Sequence, residues 1–447
     1  MISYTAIKLC SPIFVSFELT YICNNNCEYC YNYVRHSKKP NFYEATLEEK
    51  EIALEDIRDA GVFVINFTGG EPTLSPDLFK LISYSKELGL ITTMNTNARL
   101  ITDEKAKKLK NFGLDGALVS LSGSNAYNHD RQTKVNGSWF ETIRGIKALQ
   151  KFDIPLTVNF TITRKNYSDL ENVAQLSKSL GANFSIGRFV PYPQQENYIE
   201  FELSNDEIKT ILESVKRITN HEINVDFEIP IPPCAVQGED YSHLFRFSQC
   251  YAGVTFCVIS PDLSVRACPI SNNFIGNLHS HTLKEIWQSE KMDLWRKTSS
   301  FPKNCISCPC FPVCRGGCRQ AAIFHSGDIS ANDPLARPPC KNLKESLNYK
   351  VKPLIPFQAI PEYNKKFISR KENFGATIFF EDCSYIFLIG DVSCDLWNLI
   401  DGKRNISDIL DSISSKYEED RKKMKKDFMD FFTQLLSLDA IRLKNEN

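Results

Sequence analysis

Between residue 13 and about residue 200, short apolar runs alternate with amphipathic stretches. The runs Ile13–Leu19, Val62–Phe67, Ile91–Met94, Ala117–Leu121, Leu156–Ile162 and Phe184–Val190 read as strands. Each is short and ends in a polar or glycine-rich turn, the pattern of strands buried on both faces. Helices fill the intervals. Thr46 with Glu49, Ser138 with Glu141, and Ser168 with Glu171 have the spacing of capping boxes, in which side chain and backbone satisfy orphan N–H groups reciprocally. Ser75 before Pro76 reads as an N-cap with proline at the first helical position, and Gly61, Gly89, Gly113 and Gly181 fall where helices should stop. Six such repeats predict an α/β architecture, a partial (β/α)6 TIM-type barrel over residues 1–200.

The unusual residues all follow the C-terminal ends of these strands. Cys23, Cys27 and Cys30 follow the first, Thr68-Gly69-Gly70-Glu71-Pro72 the second and Asn95-Thr96-Asn97 the third. Ser120-Leu121-Ser122-Gly123 closes the fourth, Arg164 the fifth, and Arg188 with Pro191 the sixth. That end of a parallel sheet carries the chemistry in α/β proteins, so six loops in register predict one site. The C-x3-C-x2-C spacing suits a cubane iron–sulfur cluster, which ordinarily takes four cysteines. With three, one iron keeps an open position, the mark of a reactive rather than a structural metal site. A structural zinc is the alternative for the cysteines considered alone.

Further along, residues 201–245 read as a bridge, with a helix begun by Ser204 and Glu207 and then Pro230, Pro232 and Pro233. Residues 246–345 are cysteine-rich, with one helix near Leu283–Trp295, and 346–372 read as a polar linker. In 373–447 the strand-like runs Ala376–Phe380 and Tyr385–Ile389 precede helices near Val392–Ile400, Ile406–Ser415 and Lys422–Leu436. A length of 447 residues fits about three domains. The net charge of −1 supplies no global field for nucleic acid or anionic membrane. No stretch approaches the ~20 apolar residues of a membrane span, and the N-terminus lacks the order of a signal peptide. A cytoplasmic protein is expected. In a reducing compartment, 16 cysteines grouped at 23–30, 250–268 and 305–340 point to metal or redox chemistry rather than disulfides. Cys10, Cys234, Cys383 and Cys394 lie apart and read as core residues.

Cys23-x3-Cys27-x2-Cys30, followed on the next strand by Gly69-Gly70-Glu71-Pro72, resembles the radical S-adenosylmethionine (SAM) superfamily. The resemblance implies that the amino and carboxylate groups of SAM chelate the open iron. It also implies reductive cleavage of SAM to a 5′-deoxyadenosyl radical that abstracts a substrate hydrogen. Carried over position by position, Gly69 and Gly70 would let the backbone approach the methionine moiety, with Glu71 pairing with its ammonium group. Tyr29 would lie near adenine, and Ser120 would bind the SAM carboxylate. Ser122 replaces an aspartate of close relatives. Asn95 and Asn97 are ribose or substrate candidates against a turn role, and Arg164 and Arg188 are carboxylate partners against surface ion pairs. His129-Asp130-Arg131 with Gly137-Ser138-Trp139-Phe140 is similar to a stretch of peptide-modifying members, or else a helix-entry loop.

The second cysteine group, Cys305-x2-Cys308-x5-Cys314-x3-Cys318 and Cys340 with Cys250, Cys257 and Cys268 upstream, resembles the SPASM extension. That resemblance implies two auxiliary [4Fe–4S] clusters, three in all. Cys250, Cys257, Cys268 and Cys318 would hold one, and Cys305, Cys308, Cys314 and Cys340 the other. Two zinc sites are the alternative. Leu263 stands where relatives have glycine, and Cys310 is an extra thiol.

The last segment resembles the RiPP recognition element, a winged-helix α+β fold related to the peptide chaperone of pyrroloquinoline quinone synthesis. Leu388-Ile389-Gly390, Leu396-Trp397-Asn398-Leu399-Ile400-Asp401-Gly402 and Ile406-Ser407-Asp408-Ile409-Leu410 carry the resemblance. It implies that a leader peptide adds as a strand near Ala376–Ile389, against the helix around Phe428–Leu435. The expected function is therefore modification of a ribosomally made precursor peptide, by oxidative thioether or carbon–carbon cross-linking, with a flavodoxin or ferredoxin as electron donor. A tetrapyrrole-modifying enzyme and an iron–sulfur winged-helix transcriptional sensor are the rival readings. The basic run 421–426 is balanced by acids at 418–420, which speaks against nucleic acid.

Overall fold

The computed structural model describes residues 8–32, 42–193, 195–236, 241, 249–339, 358–380, 386–437 and 440–444. Cys340, Cys383 and the stretch between residues 340 and 357 lie outside the described residues. The chain divides into two compact units, Ser3–Ser346 and one formed mainly by Leu347–Asn447.

In the first unit seven parallel strands follow sequence order across the sheet. They are β1 (Phe14–Glu18), β2 (Val64–Thr68), β3 (Ile91–Thr96), β4 (Gly116–Ser120), β5 (Leu156–Ile162), β6 (Asn183–Arg188) and β7 (Val225–Phe227). The six expected strands are present, and β7, three residues long, adds a seventh. Crossovers are made by α1 (Leu47–Asp59), α2 (Leu78–Glu87), α3 (Asp103–Asn111), α4 (Ala126–Thr133), α5 (Ser138–Lys151), α6 (Leu170–Ser179) and α7 (Asn205–Asn220). Side chains alternate across the strands. Phe17, Phe67, Val119 and Phe160 are wholly buried in the main apolar core. On the opposite face Asn66 accepts from Thr93 (3.1 Å) and Asn159 from Ser185 (3.3 Å), giving the sheet a polar face.

The capping boxes at Thr46/Glu49 and Ser204/Glu207 form, each Glu also accepting the cap residue's backbone N–H at 2.7 Å. Three other expected starts differ. Ser138 donates to Asp130, leaving Gly137 as the cap of α5. Helix α6 begins at Leu170, with a short 3-10 turn before it, and Asp169 at its start accepts from Ser124. Helix α2 begins two residues after Pro76, at Leu78.

The cysteine-rich region continues the same sheet. Strand β8 (Phe256–Ile259) pairs parallel to β1, and β9 (Ser264–Arg266) and β10 (Phe274–Asn277) add antiparallel to it. Leu263, in the turn between β8 and β9, has φ +63°. A glycine takes that conformation freely, whereas a leucine pays roughly 1–2 kcal/mol for it. Helices α8 (Leu283–Gln288), α9 (Glu290–Asp293), α10 (Lys303–Ile306), α11 (Phe311–Cys314) and α12 (Arg319–Ser326) follow. The single helix expected near 283–295 is broken at Ser289, whose hydroxyl caps α9.

The second unit begins with β11 (Ile360–Tyr363) and an antiparallel meander of β12 (Phe367–Glu372), β13 (Gly375–Phe380) and β14 (Ile386–Gly390). Helices α13 (Asp391–Asn398), α14 (Ile406–Tyr417) and α15 (Arg421–Ser437) come next, and β15 (Ile441–Lys444) returns to pair with β11. Strands β11 and β12 lie in the stretch expected to be linker. Trp397 anchors the core, with the rings of Tyr363, Phe367 and Phe380 around it at 4.8, 5.1 and 6.2 Å. No helix among the described residues is long and apolar enough to cross a membrane.

Candidate active site

A cavity of about 1160 Å³, counting its solvent-open mouth, lies at the C-terminal ends of the strands. Thr68 from β2, Asn95 from β3, Ser120 from β4, Thr161 from β5 and Gly187 with Arg188 from β6 all face it, together with Glu228 just past β7. Cys23, Cys27 and Cys30 enter from the loop after β1, and among the described residues no fourth cysteine lines it. The donor set therefore fits a cluster with one iron left open.

Two neighbouring loops hold the cysteine loop in shape. Gly70 N donates to Thr20 O at 2.7 Å and Glu71 N to Ile22 O at 2.8 Å. A Cβ on Gly69, whose φ is +130°, would stand 2.5 Å from Thr20 O, and one on Gly70 would fall well inside contact with the Ile22 carbonyl. The glycines thus answer first to the protein's own backbone, an approach only they allow. From β3, Asn97 Nδ2 donates to Asn24 Oδ1 at 2.6 Å and lies 3.9 Å from Cys23 Sγ. Arg99 donates to Asn24 O and, at 2.9 Å, to Asn25 Oδ1 while bonding Glu141 at 2.6 Å. Asn24 and Arg99 carry no motif, and Glu141 was read only as the capping partner of Ser138, so none was foreseeable as a support.

Glu71 is buried. Its Oε1 accepts from Thr73 N, Thr73 Oγ1 and Thr96 Oγ1, and its Oε2 from Asn97 N at 2.8 Å. Burial raises its carboxyl pKa against those four donors. A carboxylate has about four acceptor positions, two on each oxygen, so Oε2 retains capacity for an ammonium group. Tyr29, packed beside Cys27 and Cys30, shares a 2.5 Å hydrogen bond with Ser122, and burial pushes its phenol well up. Ser122 N in turn donates to His129 Nδ1 at 3.1 Å. The serine in place of aspartate is therefore a link between Tyr29 and a buried histidine.

Both arginines are ion-paired. Arg164 lies outside the cavity, held by Glu207 at 3.1 Å and Ile199 O at 3.0 Å. Arg188 faces the cavity, but both its terminal nitrogens are taken by Asp333. Burial opposes the Arg188 charge, while Asp333 and Cys318 beside it raise its pKa overall. Asp333 also accepts from Cys318 N at 2.7 Å and Leu335 N at 2.9 Å. Arg188 is thus a tie between the barrel and the cysteine-rich region.

That region gathers its thiols in two places. Cys250, Cys268 and Cys318 feel one another's charge, and burial first, then those neighbours, raises Cys268. Cys257 feels a different charge. It aligns with Val15 across the β1–β8 pair, while its neighbour Val258 aligns with Arg266, so Cys257 takes the other face of the strand. Its thiol is raised to about 12 by burial, and the charge it meets is Arg296. The second group comprises Cys305, Cys308, Cys310 and Cys314 around a small cavity. Cys340 is outside the described residues. Three buried arginines face these thiols: Arg188 toward Cys318, Arg315 toward Cys250, and Arg319 toward Cys305. The Nε of each is buried without a hydrogen-bond partner. Buried thiols that burial keeps protonated ionise when a cationic centre binds them. Guanidinium groups beside them suit the net negative charge of a thiolate-ligated cluster.

Of the third helix of the second unit, Phe428, Phe432 and Leu435 are buried in that unit's own core. They are not an open pocket for a peptide. Strand β13 is central, so among the described residues the outer strands of its sheet are β12 and β14.

Comparison with known proteins agrees with this layout. The radical SAM superfamily matches residues 17–177, an iron–sulfur cluster-binding domain (SPASM) residues 250–309, and coenzyme PQQ synthesis protein D (PqqD) residues 382–441. The AdoMet-dependent heme synthase of Nitratidesulfovibrio vulgaris is 27% identical over 72% of this chain and 91% of its own. The PqqA peptide cyclase of Bradyrhizobium diazoefficiens is 28% identical over 72% of this chain and 85% of its own. Streptococcus suis SuiB, in a crystal structure bound to the precursor peptide SuiA, shares the fold with a TM-score of 0.60 at 18% identity, over 74% of this chain and 76% of its own. The chain is an enzyme that carries a radical SAM domain, a SPASM iron–sulfur region and a PqqD-type domain.

Proposed function

We propose that the protein modifies a ribosomally made precursor peptide, forming an oxidative thioether or carbon–carbon cross-link. The observation that carries this is the presence, on one chain, of the Cys23–Cys30 cavity and of a PqqD-type unit with a three-stranded sheet whose outer strands are β12 and β14. An edge strand's unpaired N–H and C=O groups accept an extended peptide as a further strand. The similarity to a PqqA peptide cyclase points the same way.

SAM and three [4Fe–4S] clusters, one open and two auxiliary, supply hydrogen-atom abstraction and a sink for the electron that cross-linking releases. The residues of the chain orient and seal. Glu71 Oε2 would receive the ammonium group of SAM, Ser120 and Asn95 would contact its polar atoms, and Tyr29 fixes one wall through Ser122. Asn97 and Arg99 keep the cysteine loop from shifting. Glu228, its carboxyl raised by burial and by Asp226, is the acid placed to exchange a proton with a substrate in the mouth. An electron donor of the flavodoxin or ferredoxin kind completes the system.

A tetrapyrrole substrate is the second reading, favoured by the similarity to a heme synthase. Anaerobic protein with SAM and dithionite should release 5′-deoxyadenosine, and with a precursor peptide encoded beside its gene should yield a peptide lighter by a pair of hydrogens. No 5′-deoxyadenosine sinks both readings. Turnover of a tetrapyrrole with no affinity for any neighbouring peptide overturns the first.

A further inference from the structure

Cys234 sits far in sequence from the clustered cysteines, in a 3-10 turn (Pro233–Ala235) of the bridge after α7. In the fold it joins them. It is buried, and it forms one packed group with Cys310, Cys314 and Ala336, against which Cys308 also packs. With Cys305 these thiols line a pocket of about 250 Å³, counting its open side, whose other walls include Phe311, Pro233 and Pro338. Arg337 N donates to Cys234 Sγ at 3.2 Å.

We propose that Cys234 is a thiolate ligand of the second auxiliary cluster, completing it beside Cys305, Cys308 and Cys314. The assignment rests on the reading that this region holds iron–sulfur clusters. A cubane presents four irons at the corners of a tetrahedron, so ligands from the single loop 305–314 reach three corners and leave the fourth facing away from it. Cys234 approaches from a different segment. Cys310 is on the loop itself, where its carbonyl accepts from Cys314 N at 2.9 Å. The Arg337 amide is the kind of N–H···S contact that orients a ligating sulfur and tunes the cluster's potential. On ligation Cys234 releases its proton and an Fe–S bond forms, with no change of oxidation state.

The test uses the full chain, reconstituted anaerobically, as wild type, Cys234→Ala, Cys234→Ser, Cys310→Ala and Cys340→Ala. Iron and sulfide content and the EPR spectra of oxidised and reduced protein are read, with circular dichroism as a folding control. Cys234→Ala should lose about one iron, leaving a three-iron cluster with its own oxidised signal, or about four if the cluster falls out. Cys310→Ala should match wild type. Cys234→Ser, which keeps the volume and offers an oxygen ligand, should retain iron with a shifted reduction potential, and it decides the matter if the alanine variant does not fold. Wild-type iron and spectra in Cys234→Ala, an unshifted potential in Cys234→Ser, or cluster loss in Cys340→Ala alone overturns the assignment. Wild-type protein holding iron only at Cys23, Cys27 and Cys30 overturns the reading beneath it as well.

Discussion

Replacing Asp333 by asparagine removes a buried charge at the seam between barrel and cysteine-rich region. The side chains of Arg188 and Asp333 are 4% and 0% exposed. A guanidinium does not give up its proton in a protein, so Asp333→Asn leaves a buried cation whose Nε already lacks a partner. Breaking such a pair from one side costs about 3–5 kcal/mol. The opposite variant, Arg188→Met, is milder. It leaves a carboxylate still accepting from Cys318 N and Leu335 N and able to take up a proton, a loss of about 1–3 kcal/mol. Unfolding entropy of about 2.1 cal/mol/K per residue over about 300 residues makes each kcal/mol worth about 1.5 °C. Anaerobic thermal unfolding of the iron-loaded protein should therefore show Asp333→Asn lower by about 5–8 °C and Arg188→Met by about 2–5 °C. The double variant should lie above the sum of the two losses. An Arg188→Met loss larger than that of Asp333→Asn, or both under about 1 °C, refutes the account of a buried pair held mainly for the arginine's sake.

Gly70→Ala should push the cysteine loop off Ile22 and cut iron binding at Cys23, Cys27 and Cys30, measured as iron lost with the secondary structure intact. Cys27→Ala should abolish 5′-deoxyadenosine formation, since one of three ligands goes. His129 is neutral, its pKa lowered from 6.5 to about 4, first by burial and then by Arg99, with Asp130 opposing. The unfolded chain therefore takes up that proton first. Its contribution, about 3 kcal/mol at 1.36 kcal/mol per pKa unit, is complete above pH 6.5 and lost as pH falls from 6.5 through 4. His129→Asn, with an amide oxygen to receive Ser122 N, should flatten the acid limb of a melting-temperature profile. An unchanged slope counts against it. Removing residues 347–447 should leave SAM cleavage intact and slow peptide modification at least tenfold, and equal turnover of full-length precursor refutes leader binding there.

What could be read from the chain was what local pattern dictates. The strands β1 to β6 were legible because each is a continuous apolar run, and the cavity followed from the polar residues at their ends. Strand β7 is too short and too polar, Val225-Asp226-Phe227, to stand out from its loop. Strand β11 carries Pro361, which an edge strand tolerates and a linker reading also predicts. Cap spacing at Ser138 and Ser168 was sound locally, but Ser138 donates to Asp130 and α6 begins at Leu170, where Asp169 accepts from Ser124. The partner of Arg188 lies 145 residues away, a separation at which no spacing rule operates. Cysteine spacing does not show where a thiol ends up. Cys257 sits within a ligand-like series yet meets the charge of Arg296, and Cys234 stands alone in sequence yet is buried among thiols.

The seam has a second buried pair, and the two together make a sharper demand. Arg266 on β9 bonds Glu18 at the end of β1, and its other nitrogens reach Ser260 Oγ (3.1 Å), Pro269 O (2.8 Å) and Ser271 O (3.0 Å). Arg266 is two residues before Cys268, as Asp333 bonds the amide of Cys318. One pair thus braces each of two thiols that feel each other's charge, from strands β1 and β6 separated by four others. Distant pairs with no shared partner add within about 0.3–0.5 kcal/mol. If Cys268 and Cys318 bind one cluster, that cluster is the shared partner. Loosening either thiol releases it, and the second change then finds less to lose. Glu18→Gln with Asp333→Asn should therefore cost less than the sum of the single variants, in melting temperature and in iron retained. In apo-protein the same pair of changes should add. Strict additivity in the iron-loaded protein would separate Cys268 from Cys318 as ligands and remove the reason for placing one cluster between them.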